Sequence, residues 1–139
     1  MPFWSVVLLA ATGVHAGFSV TVTRLVYPAL LRVAPAGFAR AHTTHSRTIV
    51  PVVGLVYGAV LVAVVGAVAS DPVSRSAWLA AGASLAAVLV TALRAAPLHS
   101  RLGRRGPEPA LVRSLVRADR VRTLAALLAL VAAVAHGLG

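Results

Sequence analysis

The chain has 139 residues, of which 59% are hydrophobic and only 12% charged. Soluble domains carry about 25% charged residues, so there is too little polar surface here to clothe a water-soluble globule. The net charge of +10 comes from 13 Arg and no Lys, and the absence of Cys excludes disulfides, thiolate chemistry and Cys-ligated zinc or iron–sulfur sites.

A helix needs about 20 apolar residues to cross a bilayer. Residues 3–23 and 49–69 are two such runs without a formal charge, and residues 77–93 and 123–138 are two shorter ones. Flanking Arg side chains can complete the short runs by reaching to the interface. The runs do not alternate, which excludes barrel strands. The first lacks a basic n-region and is too long for the core of a cleavable signal, so it is expected to be retained as a helix. The expected fold is therefore all-α: a polytopic membrane protein, a single domain built as a four-transmembrane-helix bundle.

Charge sets the expected orientation. Arg24, Arg32, Arg40 and Arg47 lie between the first two runs, and eight more Arg lie between the last two. The middle connection, residues 70–76, holds only Asp71 and Arg75. Twelve of the 13 Arg thus share one side. The positive-inside rule makes that side cytoplasmic and places both termini outside a multi-pass protein of the cell (cytoplasmic) membrane. Trp4 and Trp78 then sit at the outer interface. Basic residues at membrane ends are a topology signal and can also touch anionic lipid headgroups, so nucleic acid is not an expected partner.

The segments 27–48 and 96–123 look alike. Each leaves a span through a proline, Pro28 or Pro97, passes a basic residue and a Pro-containing turn, and closes on Arg-Thr, Arg47-Thr48 or Arg122-Thr123. This pattern suggests a duplicated helical hairpin with parallel repeats. Both segments should be helical, with Pro35 and Pro109 suited to first turns. The spans would then extend into the cytoplasm.

Chemistry points to histidine. His15 falls near the middle of the first span, where a titratable group must face the bundle interior and is a functional-site hypothesis by default. The alternative is a structural His15 bonded to Thr91 or Tyr57. Thr12, Ser19 and Thr23 could extend a polar stripe along the same helix. His42 and His45, spaced i, i+3, share a helix face and could share a metal or a substrate. His99 ends the third span, so antiparallel packing gathers His42, His45 and His99 at one depth, with Arg47, Arg94 and Arg122 at the span boundaries. An Arg beside neutral histidines can stabilise an oxyanion or enolate while His moves a proton. His136 lies at the far end and is incidental. A carboxylate dimetal site is excluded, because Asp71, Glu108 and Asp119 are the only acids. Asp119, beside Arg120 and Arg122, is expected to be paired. The cofactor is open: none, or a metal or haem held by histidines.

Tyr27-Pro28, the 38–42 stretch from Phe38 to His42, Pro97-Leu98-His99 and Val121-Arg122-Thr123 together resemble the anthrone-oxygenase-like family of small four-helix membrane proteins. Members often read Asn-x-x-Arg-Thr before the last helix, and here Asp119 stands where Asn would be. The resemblance implies a membrane-embedded oxygenase of polycyclic phenolic substrates, working without a resident cofactor.

Two readings stand ahead of the rest. In one the chain is an enzyme taking a small apolar or aromatic substrate from the bilayer into a histidine-rich pocket. In the other it is a non-catalytic assembly subunit or scaffold, with Gly13/Gly17 and Gly54/Gly58 as G-x-x-x-G association motifs that suit a tight bundle or a homo-oligomer equally. Transport ranks last, since intramembrane acidic coupling residues are missing.

Overall fold

The computed structural model describes residues 1–139 and is all helical. Four helices fill it: α1 Phe3–Leu31, α2 Pro35–Ser70, α3 Arg75–Arg105 and α4 Pro109–Leu138, each long and apolar enough to cross a membrane. The two runs that look short in sequence are the apolar parts of helices 31 and 30 residues long. Prolines occupy first-turn positions where no N–H is needed: Pro35 opens α2 and Pro109 opens α4. Gly106 takes φ +81°, the only positive φ in the chain, and lets α3 turn over into α4.

The helices alternate in direction around a ring. The backbone of each approaches two neighbours, α1 against α2 and α4, α3 against α2 and α4, and only side chains meet across the diagonals. The closest seam joins α3 to α4, where Ala77, Ala80, Ala83 and Ala87 on α3 and Ala126, Ala129, Ala132 and Ala133 on α4 are all buried. Small side chains let backbones approach, which in lipid replaces hydrophobic collapse as the source of helix association. The loosest seam lies between α2 and α3. Large apolar side chains point outward all round the ring, with Leu55 75% exposed and Leu85 57% exposed. Such a surface is stable against hydrocarbon rather than water.

Both odd-numbered helices contain one π turn, Val22–Val26 in α1 and Thr91–Ala95 in α3. Each ends two residues before a proline, Pro28 or Pro97. A proline ring clashes with the carbonyl four residues earlier and cannot donate to it, and a wider turn relieves that conflict. The N–H of Tyr27 bonds the carbonyl of Val22, and the N–H of Ala96 bonds that of Thr91. Thr hydroxyls sit against neighbouring carbonyls: Thr91 donates to Ala87 at 2.9 Å, and Thr23 Oγ1 lies 2.9 Å from the Ser19 carbonyl. Matching π turns at matching prolines accord with a duplicated hairpin.

Two apolar clusters hold the bundle. One, at the end carrying both termini, includes Leu8, Ala63, Ala67 and Ala80. The other, at the basic end, includes Val22, Tyr27, Phe38, Leu102 and Leu115. Buried Thr12, His15, Ser19 and Ser84 lie along the helices between them. At the terminal end His136 is not idle, since its Nδ1 lies 2.9 Å from the hydroxyl of Ser74, the residue that caps α3.

The G-x-x-x-G pairs do not close this bundle. A Cβ at Gly17, Gly54 or Gly58 would meet nothing within 4 Å, and one at Gly13 would reach only Leu130 at 4.0 Å. The glycine that matters is Gly66, where a Cβ would run into the Trp4 indole. Trp4 is accordingly half-buried against α2, whereas Trp78 is 57% exposed and donates its indole N–H to the Pro72 carbonyl at 3.0 Å. Gly66→Ala is expected to cost about 1–3 kcal/mol through overpacking. Gly58→Ala should be neutral or stabilising by up to about 1 kcal/mol, as Ala favours helix over Gly. Thermal unfolding of the two variants in detergent measures both, and equal midpoints would mean that the Trp4–Gly66 contact does not hold the terminal end together.

Candidate functional site

The site forms at the basic end, where the two π turns shift the inward register of α1 and α3. Buried positions on α1 run Ser19, Val22 and then Tyr27, a step of five rather than three or four. The extra residue turns the Tyr27 side chain inward, and it is 95% buried by exposure of 5%. On α3 the corresponding wide turn precedes His99 by one helical turn. Tyr27 and His99 then meet across the bundle axis.

Their contact starts a chain. The Tyr27 hydroxyl lies 2.8 Å from His99 Nε2, and His99 Nδ1 lies 3.4 Å from His42 Nε2. If Tyr27 donates to His99, then His99 donates to His42, and every group stays neutral. Reversing all donors preserves both bonds, so the chain can pass a proton in either direction. His45 stacks on His99 with ring centroids 5.9 Å apart, and its Nε2 is buried without a partner. Phe38 packs on His42 at 5.8 Å, one turn earlier on the same face. Gly103 makes room for the ring: a Cβ there would stand 3.0 Å from the His42 ring.

A cavity of about 410 Å³ opens at the loose α2/α3 seam, lined by Tyr27, His42, His45, His99 and Arg122 together with apolar Val22, Ile49, Val50 and Val53. Four of these polar side chains were legible as candidates, and Tyr27 was not. Tyr27-Pro28 counts in the sequence only toward the family resemblance, and only the π register sends the hydroxyl inward. The three imidazoles touch, but no three His, Asp or Glu side chains converge as a set that could hold a metal ion.

Arg122 is the one arginine drawn inside, and it is 3% exposed. Asp119, one turn earlier on α4, is its ion-pair partner and is itself 1% exposed. The carboxylate also accepts from the Thr23 hydroxyl of α1 at 2.5 Å, and Thr23 lies 2.9 Å from the Thr123 hydroxyl of α4. Thus the expected pairing of Asp119 holds, with Arg122 rather than Arg120. The pair neutralises both charges in a place where an unpaired one would be costly. It leaves Arg122 Nε buried and unpartnered while the side chain lines the cavity.

Other candidate residues fall elsewhere. Arg47 is exposed on α2 and lines none of the cavity, and Arg94 is exposed in a groove on the far side of α3. His15 is buried, but it packs edge-on against the Tyr57 ring at 4.9 Å and does not line the cavity. Neither of its nitrogens has a partner. The hydrogen bond considered for His15 is instead made between Tyr57 and Thr91, at 2.6 Å.

No protein family, curated protein or solved structure matches this chain.

Proposed function

We propose that this chain is a membrane-embedded oxygenase of a small phenolic or polycyclic ketone that enters from the bilayer at the α2/α3 seam. One observation carries the reading: a Tyr27–His99–His42 proton chain lines an apolar cavity that also holds a free imidazole nitrogen and a buried guanidinium. The resemblance to the anthrone-oxygenase-like family supplies the substrate class.

An anthrone is a carbon acid whose conjugate base is an enolate that reacts with oxygen unaided. His45, its Nε2 unpartnered, is the base that removes the first proton from the reacting carbon. Arg122, through Nε, stabilises the enolate oxygen. The enolate is oxidised by O₂, which adds at that carbon and is protonated to a hydroperoxide. Loss of the second carbon proton then cleaves the O–O bond, leaving a quinone carbonyl and one water. His45 takes that second proton, the Tyr27–His99–His42 chain delivers the proton that the departing hydroxide needs, and the proton held by His45 then restores the chain, so that no net proton is gained or lost. Anthrone and O₂ are thereby converted to anthraquinone and water, both hydrogens of the water deriving from the reacting carbon.

Oxygen uptake by the protein in nanodiscs, with anthrone as probe, tests this. His99→Ala should lower the rate by about 10²-fold or more, the usual contribution of a positioned acid–base group. Tyr27→Phe should lower it less, and Gly103→Ala should act in the same direction by displacing the His42 ring. Wild-type rates in His99→Ala, or no uptake by the wild type, would sink the proposal.

The reading places the basic end in the cytoplasm and both termini outside the cell membrane, following the Arg asymmetry. A reporter at the C-terminus should then read as external, and a cytoplasmic signal would reverse the orientation. A scaffold role is favoured by one feature: Gly54 and Gly58 are exposed on α2 with open space beside them, fit for another helix. A stoichiometric partner, with histidine changes neutral, would select that role.

A further inference from the structure

A second concave surface lies away from the histidine cavity. It is a groove of about 560 Å³ between α3 and α4 at the basic end. A water occupies about 30 Å³ of liquid, so the space suits a headgroup rather than a single ion. Its lining changes character along its length. Val90, Leu93 and Val121 form the part beside the apolar runs, and Arg94, Arg101 and Arg117 form the part beyond them. Arg94 and Arg101 are two turns apart on α3, and Arg117 faces them from antiparallel α4.

These guanidiniums have no counterion within the chain. The sole ion pair is Arg122 with Asp119, and no carboxylate lines the groove. The α1/α4 groove on the other side of the last helix differs, because Asp119 is part of its wall beside Arg24 and Arg120. Three uncompensated cations at the end of a hydrocarbon-facing wall match one chemistry: an anionic diester with two acyl chains. The alkyl stems of the arginines would lie along the groove while their heads reach the phosphate.

We propose that the α3/α4 groove is a binding site for one anionic phospholipid, its phosphate held by Arg94, Arg101 and Arg117 and its chains laid over Val90, Leu93 and Val121. The Ser114 hydroxyl, also on the groove wall, offers a further donor to the headgroup. The site requires only the membrane-spanning fold and is independent of any catalytic role.

The test is native mass spectrometry of the protein released from nanodiscs made with equal parts phosphatidylglycerol and phosphatidylcholine. Wild type should retain one phosphatidylglycerol in preference by about tenfold, and Arg94→Gln/Arg117→Gln should lose most of that preference. Arg40→Gln/Arg113→Gln removes the same charge from the same end, outside the groove, and should keep it. Arg94→Lys/Arg117→Lys keeps the charge and should also retain preference, which covers the case of a Gln pair that fails to fold. Equal losses in the groove and control pairs would mean diffuse attraction and overturn the site. So would a wild type without preference, or one whose bound lipid is displaced by inorganic phosphate, which would make the groove a free-anion site.

Discussion

The basic end of the bundle depends on one buried ion pair. Asp119 and Arg122 stand one turn apart on α4, both almost wholly excluded from solvent. Alone, each charge would be prohibitive in an apolar interior. Together, and tied to α1 through Thr23, they make the α1/α4 seam specific at the depth where the first π turn begins. The same pair turns one guanidinium of 13 inward, toward the histidines, while other Arg side chains remain at the surface. Removing the acid would leave the cation without a partner in a cavity wall.

Prolines shape the rest of the site. Pro28 and Pro97 each force a wide turn upstream, and each wide turn advances the inward register of its helix. Tyr27 and His99 reach one another only because both helices carry the same irregularity. The π turns also occupy the depth at which α2 and α3 part, so the opening into the cavity and the side chains within it have a common origin. A straight α1 would direct Val26, rather than Tyr27, toward the axis.

Much of this fold is legible in the residues. Four uncharged runs announce four helices, and the Arg distribution gathers the histidine-bearing ends together. Helix lengths are harder to read, because an amphipathic turn beyond the hydrocarbon looks like a loop when hydropathy alone is followed. Pro35 and Pro109 are the signals that correct this. His42, His45 and His99 converge as their spacing suggests, since antiparallel helices bring span ends to one level. Tyr27 does not stand out as a site residue because a π turn leaves no periodic signature in a sequence where small apolar residues dominate. Arg47, Arg94 and Arg122 look equivalent at span boundaries, and only the carboxylate of Asp119 separates the buried one from the other two. The glycine pairs stay open for a related reason: spacing shows which residues share a face, not whether that face meets a helix or lipid, and only the alternative within one bundle is removed.

The most direct test of the ion pair's place in this account is a double-mutant cycle read by unfolding in detergent. Asp119→Ala alone strands a buried guanidinium and should cost about 3–5 kcal/mol. Adding Arg122→Met should recover much of that loss, since no charge then remains in the interior, giving a coupling of about 1 kcal/mol or more. A neutral Asp119→Ala, or two effects that simply add, would contradict the claim that this pair anchors the site end of the bundle.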